Sequence, residues 1–478
     1  MKKYLALKAS AGSGKTFALT VRYITLLLLG AKPNEILTLT FTNKAAREMT
    51  ERIEHVVGNE AKKVWCGTFH AIFARILRVE APKIGYPANF SIYDTDNTKS
   101  LITEIIKELN LNSKDYNANT VRSRISNAKS NLITPTLYER DEELLAQDQM
   151  NKMPQTVTIY KRYFQKCIQA GAMDFDDLLF NTNILMRDFP DVLVKYQSKF
   201  KYILVDEYQD TNFSQYVIVK QLAARYQNIC VVGDDAQSIY SFRGANIQNI
   251  LNFEKDYPES QIIKLEQNYR STKTIISASS HLIANNTTRK EKTLWTENEE
   301  GSKIQRIQLP DDLKEAEFVV KMIKYHCEQG AAYKDISIFY RTNAQSRIFE
   351  DVLRREKVPY NIIGALKFYD RKEIKDVMAY LKILINPEDS VSIKRIINVP
   401  QRGIGKTTVE KIEGHQFTKG LTFYQAIPDS ITNGVLAGAA AKKVTDFKNQ
   451  LETLRSLLGS MSLADFYGEM MDRTGYLQ

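Results

Sequence analysis

Short apolar runs alternate with helical periods over the first 85 residues. Residues 4–8, 36–41 and 64–68 are rich in β-forming side chains, and each is bounded by a polar or glycine-bearing turn. Between them, residues 15–30 form an apolar helical stretch, and residues 43–57 read as a helix with its charges on one face. Strands alternating with helices predict a parallel α/β sheet. From about residue 86 to 199 the pattern changes. Residues 98–109, 120–130 and 155–170 read as helices and strand patterns are scarce, which predicts a helical insertion. The strand pattern returns at 202–205, 229–234 and 261–265, so one sheet is split in sequence by a helical block. After Ser271 a second α/β region is expected, with strands at 302–308, 336–340 and 358–363 and helices at 314–328 and 346–356. From about Lys372 the chain reads as helical, with a turn at 400–405.

Composition narrows this picture without redirecting it. A length of 478 residues suggests about three domains. A hydrophobic share of 43% excludes a disordered chain. The 66 Lys and Arg exceed the 56 Asp and Glu by ten, an excess that admits a polyanionic partner without requiring one. No apolar run approaches the roughly 20 residues of a membrane span. Lys8 and the glycines after it leave no adequate apolar region for a secretory leader, so none is expected. Cys66, Cys167, Cys230 and Cys327 are far apart and the five histidines are scattered. Zinc knuckles, CxxC redox sites and disulfide frameworks are therefore excluded, and a cytoplasmic setting is expected.

The strongest chemical signal is Ala9-Ser10-Ala11-Gly12-Ser13-Gly14-Lys15-Thr16-Phe17, set between a strand and a helix. Such a loop lets backbone N–H groups surround phosphates, with the helix dipole adding to the attraction. Lys15 then reaches the β- and γ-phosphates and Thr16 offers a hydroxyl to Mg²⁺. Asp206 and Glu207 follow a buried strand, where a metal-holding carboxylate and a general base for water belong. Gln237 lies in the loop 233–244 after another such strand and can meet a γ-phosphate without adding charge. In that loop Tyr240, Phe242 and Arg243 offer stacking faces and a cation, although ordinary core aromatics fit the pattern too. Arg270 could stabilise phosphate charge; taken alone it reads better as half of a structural salt bridge. Gly403-Ile404-Gly405-Lys406-Thr407 imitates a second phosphate loop but follows Val399-Pro400 instead of a strand. It suits a hairpin between helices whose N–H groups at Gly403 and Gly405 meet DNA phosphates, with a purely structural turn as the other reading.

Taken together and in order, these strings resemble the superfamily 1A helicases of the UvrD/Rep/PcrA type. Thr40-Phe41-Thr42-Asn43-Lys44 resembles that family's motif Ia, Gly67-Thr68-Phe69-His70 its Ib, and Asp206-Glu207-Tyr208-Gln209-Asp210 its motif II. The loop 233–244 is similar to motif III, and Gln267-Asn268-Tyr269-Arg270 to motif IV. The segments 174–179 and 340–347 also resemble family segments. The resemblance implies a P-loop NTPase with RecA-like parallel-sheet domains and helical insertions, driven by ATP and Mg²⁺ and moving 3′ to 5′ on single-stranded DNA. It implies a first motor domain from residues 1–88 and 197–268, an insertion at 89–196, the first part of a second motor domain at 269–375, and a partial helical domain at 376–478. Residues 9–17 with Tyr269 and Arg270 would hold nucleotide, Thr16 and Asp206 the metal. Lys15, Glu207, Gln237 and Arg270 would serve hydrolysis. Thr40, Phe41, Asn43, Phe69, His70, Tyr240, Phe242 and Arg243 would line the strand. Single-stranded and duplex-junction DNA are the implied partners, with repair or recombination proteins beside them and no membrane.

Three departures from the family pattern stand out. The usual glutamine-bearing adenine motif is absent before Ala9, and Phe17 replaces an arginine, so that this stretch is closer to the RecB/AddA branch. The helicase part of such a helicase-nuclease is thus an alternative. Phe242 stands where tryptophan is usual. Motifs V and VI are not found, so the chain is expected to be C-terminally incomplete and to turn over ATP poorly alone, as a catalytically impaired ATP- and DNA-binding fragment would.

Overall fold

A computed structural model describes residues 4–9, 11–58, 63–286, 292–363 and 371–476. Ser10 of the phosphate loop and Leu477 lie outside the described residues. The chain divides into two compact units, one of residues 1–301 with 379–478 and one of residues 302–378.

In the larger unit the strands are β1 (Tyr4–Ala9), β2 (Ile36–Thr40), β3 (Trp65–Thr68), β4 (Ser91–Tyr93), β5 (Ala172–Asp174), β6 (Tyr202–Val205), β7 (Ile229–Gly233) and β8 (Gln261–Leu265). Six of them form one parallel sheet in the order β3-β2-β6-β7-β1-β8. Their side chains alternate between two cores, as the pleat requires. Ala6, Leu37, Leu39, Ile203, Val205, Ile229 and Val231 point into one core, with Phe73, Ile76 and Leu77 of the helix Phe69–Glu80. Leu7, Ala9, Ile36, Leu204, Cys230 and Val232 point into the other, with Leu19, Tyr23 and Leu26 of the helix Lys15–Leu28. Helices thus cover both faces. Every strand is parallel, so the loops that leave β1, β6 and β7 emerge at one edge, where open α/β sheets bind ligands. The six-stranded sheet agrees with the α/β class expected from sequence.

Between β3 and β6 the chain is mainly helical. Tyr93, Leu101, Ile102, Ile105, Val121, Ile125, Tyr160 and Tyr163 form its own core, and the insertion also contains the small parallel pair β4–β5, which the apolar pattern did not reveal. Three residues per strand are too few to show a period of two. One polar cluster sits in this core. Lys129 Nζ lies 2.7 Å from both Asp174 and Asp177, and the Tyr163 hydroxyl donates to Asp174 at 2.7 Å. Burial with the charge of Asp174 pushes the Asp177 carboxyl up to about 7. Burial also acts to raise Asp174, but Lys129 outweighs it and holds that group below its ordinary range.

The C-terminal helices pack on the insertion through buried polar bonds. Tyr93 donates to Asp389 at 2.9 Å, and Asn386 Nδ2 donates to the carbonyls of Ala170 and Gly171 at 2.9 and 3.0 Å. Val391 joins the insertion core. No helix among the described residues is long and apolar enough to cross a membrane.

The smaller unit is built on the helices Asp312–Glu328 and Ser346–Arg355, whose Ala316, Val320, Ile323, Phe349, Val352 and Leu353 form one core. The strands expected at 302–308, 336–340 and 358–363 are corrected here: none of these segments is a strand among the described residues. The alternation read from sequence is physically present at 336–340. Ile336 and Ile338 pack against the helical core while Phe339 is 93% exposed. An extended segment becomes a strand only when a neighbour completes its hydrogen bonds, and no ladder partner pairs with these three among the described residues.

Candidate active site and adjoining aromatic strip

The phosphate loop leaves β1 and turns at Gly12 (φ 68°) and Gly14 (φ 78°) into the helix Lys15–Leu28. Gly12 has a second reason to be glycine: a Cβ there would stand 2.4 Å from Asn268 Nδ2 and 2.9 Å from Arg270 Cβ. The N-cap residue Gly14 has no side chain to bond the first N–H groups of the helix, which suits them to an anion.

Behind the loop, five residues from three strand ends close a ring of hydrogen bonds. Lys15 Nζ lies 2.6 Å from Glu207 Oε2 and 3.2 Å from Gln237 Oε1. Gln237 Nε2 donates to Asp234 Oδ2 at 2.6 Å. The Asp234 backbone N–H donates to Gln209 Oε1 at 2.9 Å, and Gln209 Nε2 returns to Glu207 Oε2 at 2.8 Å. Beside the ring, Thr16 Oγ1 donates to Asp206 Oδ2 at 3.0 Å. Burial, then the charge of Glu207, pushes Asp206 up to about 6 against the Thr16 hydrogen bond, and the same two causes bring Asp210 to about 6. An added cation would relieve both. Glu207 itself sits at φ 47°, a left-handed conformation that a glutamate adopts only where its surroundings hold it. The residues present therefore fit a nucleoside triphosphate with a divalent cation: the helix N-terminus and Lys15 for phosphates, Thr16 and Asp206 for the metal.

The segment after β8 closes over the loop. Asn268 Nδ2 donates to the Ala11 carbonyl at 2.6 Å, and Tyr269 N–H donates to the Gly12 carbonyl at 3.1 Å. Asn268 Oδ1 accepts from the N–H groups of Arg270 and Ser271 at 2.8 and 2.7 Å. Arg270 is exposed, and Tyr269 and Phe17 are 66% and 63% exposed.

A second constellation lies along the same edge. Phe41 and Tyr240 have ring centroids 5.2 Å apart, and Tyr240 and Phe242 6.0 Å apart. The Arg243 guanidinium sits 5.2 Å from the Tyr240 ring and 5.5 Å from that of Phe242. Phe242 is 75% exposed and Asn43 is exposed on the first turn of its helix. His70 packs edge-on to Phe175 at 5.9 Å, and burial lowers its pKa.

Two expected strand-lining residues are placed differently. Phe69 is 2% exposed and packs in the sheet core, because as the first residue of its helix it turns inward against Phe73. Its aromatic face is not open to a base. Thr40 is fully buried and bonds the Thr42 carbonyl at 3.2 Å, so it shapes the loop from below. Gly403 and Gly405 stand apart from the ring, in the turn before the helix Lys406–Lys419. Asn398 Oδ1 accepts from Arg402 and Ile404 there, and Lys443 Nζ donates to the Gly403 carbonyl at 3.3 Å. Gln209, Asp234, Asn268 and Phe175 were not singled out as site residues. All four stand inside strings that resemble the family: Gln209 next to the acidic pair, Asp234 before Gln237, Asn268 before Tyr269 and Phe175 in the segment 174–179.

Residues 1–258 match the model of the UvrD/REP helicase N-terminal domain, and residues 263–434 that of the UvrD-like helicase C-terminal domain. The ATP-dependent DNA helicase PcrA of Bacillus subtilis is 46% identical over 474 residues, covering 99% of this chain and 63% of that protein. The PcrA helicases of Staphylococcus aureus and Staphylococcus epidermidis are each 44% identical over 477 residues, covering 99% of this chain and 64% of theirs. The chain thus spans a little under two thirds of the length of these relatives, and the RecB/AddA-like alternative is not favoured. The chain belongs to the UvrD/REP helicase family.

Proposed function

We propose that this protein is an ATP-dependent DNA helicase that translocates 3′ to 5′ on single-stranded DNA and works in repair, replication restart or recombination, in the cytoplasm. The observation that carries the reading is the ring of Lys15, Glu207, Gln209, Asp234 and Gln237 beside the Thr16–Asp206 pair. Residues 1–88 and 197–268 act as the first motor domain, 89–196 as its insertion, 269–375 as part of the second, and 376–478 as a helical domain.

Lys15 and the loop N–H groups from Ala9 to Phe17 hold the β- and γ-phosphates of ATP. Thr16 and Asp206 hold Mg²⁺, which supplies charge neutralisation at the phosphates. Glu207 Oε2, now bonded to Lys15, takes the proton of the attacking water once Lys15 turns to phosphate. Gln237 orients that water, and Arg270 stabilises the γ-phosphate charge. Tyr269 offers its exposed ring to adenine. Phe41, Tyr240 and Phe242 present stacking faces to successive bases, with Arg243, Asn43 and His70 at the backbone and Gly403 and Gly405 toward a duplex.

The test is steady-state ATP hydrolysis with and without single-stranded DNA, beside Lys15→Ala. DNA-stimulated turnover that disappears in the variant supports the reading; turnover indifferent to DNA removes it. Phe242→Ala is expected to weaken single-strand affinity by about 1–3 kcal/mol, measured by fluorescence anisotropy. An unchanged affinity would take Phe242 out of the strand path.

A further inference from the structure

Lys292 lies outside every motif noted above, yet its ammonium group touches the site. The side chain is 3% exposed. Nζ is 2.7 Å from Asp234 Oδ1, 2.6 Å from Asp235 Oδ1 and 3.2 Å from the Ala9 carbonyl. A lysine has three donors, and these are three acceptors, so the group is held in one place. The backbone is held as well. Thr293 N–H donates to Glu266 Oε1 at 2.9 Å, Trp295 N–H to the Glu266 carbonyl at 3.2 Å, and Asn268 N–H to the Trp295 carbonyl at 2.8 Å. Lys292 is thereby fixed to the same segment that closes over the phosphate loop.

We propose that Lys292 is a positioning residue for the Gln237 side chain and sets how strongly the site prefers a nucleoside triphosphate to a diphosphate. The inference rests on the ATP-hydrolysing reading of this site and deepens it. Asp234 is shared: Oδ1 faces Lys292, while Oδ2 accepts from Gln237 Nε2 at 2.6 Å. That second bond turns the Gln237 carbonyl oxygen toward Lys15. Lys292 holds Asp234 Oδ1 on the side away from Gln237, which leaves Oδ2 to accept from the amide. It also offsets Asp235, whose side chain is 5% exposed. Without Lys292, the buried Asp234 carboxylate would stand without its ammonium partner beside the place where a third phosphate must sit, and its repulsion falls on the γ-phosphate more than on the β-phosphate. An ordinary clamp for the 292–295 segment would show no such selectivity, since it would weaken both nucleotides alike.

The experiment compares binding of ADP and of ATPγS, each with Mg²⁺, by the 478-residue chain and by Lys292→Met, Lys292→Arg and Lys292→Met/Asp235→Asn. DNA-stimulated kcat and KM are measured beside it. Lys292→Met is expected to weaken ATPγS by about tenfold or more with ADP within about twofold, and to lower kcat more than it raises KM. Lys292→Arg should keep the preference, and the added Asp235→Asn should recover part of it. Equal weakening of both nucleotides, or an unchanged preference, overturns the proposal. If Lys292→Met does not fold, Asp235→Asn alone decides: it should strengthen the preference for ATPγS, and no change counts against the proposal. Binding of neither nucleotide by the unaltered chain would remove the ATP reading itself and this inference with it. A normal preference that ignores Lys292 removes the inference alone.

Discussion

Glu207→Gln is expected to lower DNA-stimulated ATP hydrolysis by about 10²–10⁴-fold, the range that a positioned general base contributes. The same change should leave triphosphate affinity equal or tighter. Lys15 is held by the Glu207 carboxylate at 2.6 Å, and a neutral amide there would release it to phosphate more easily. The opposed signs make the test sharp. Single-turnover hydrolysis and ATPγS binding measured on one preparation would separate base from scaffold. Near-normal turnover would take the proton-accepting role away from Glu207. Lost binding would mean that its strained backbone at φ 47° holds the loop in shape, and that the carboxylate is secondary.

Lys129→Met carries the largest expected effect on stability. The lysine is 1% exposed and answers two carboxylates, Asp174 and Asp177. Its removal leaves both carboxyl groups in an apolar core without their counter-ion, which costs about 3–5 kcal/mol. The urea midpoint for loss of the insertion's tyrosine signal should fall accordingly. Asp177→Asn added to the variant should restore part of the loss, because it removes one of the uncompensated acids. A change below about 1 kcal/mol would mean that water or rearrangement already satisfies the acids, and the cluster would no longer count as the pin of this core. The effect should reach further than the insertion. Asp174 caps the helix Phe175–Asp188, and Phe175 packs against His70.

Much of this site is written in short strings because its chemistry is local to strand ends. Gly12, Lys15, Thr16, Asp206, Glu207 and Gln237 are readable where a buried strand gives way to a loop, and one parallel sheet brings all such ends to one edge. Contacts that cross the chain are another matter. Lys292 reaches Ala9 over 283 positions, and Asn268 reaches Ala11 over 257, and neither spacing leaves a trace in sequence. Phe69 misled because an aromatic beside His70 looks the same whether it faces solvent or the core. Its place as the first residue of a helix, with Phe73 one turn on, was the available signal. The smaller unit marks a further boundary. Its alternating segments state which side chains face inward, whereas a strand also needs a neighbour, which no single segment encodes.

The strand order has a consequence for how the protein is made. β1 lies between β7 and β8, and about 220 residues separate it from the first and about 250 from the second. At about 5–20 residues per second, a ribosome takes about 11–50 s to deliver them. An interior strand of the sheet thus emerges before the others and waits longest for a partner. Its burial waits until the whole insertion has been synthesised, and a nascent chain of this kind exposes an apolar edge to chaperones and to other chains for that entire interval.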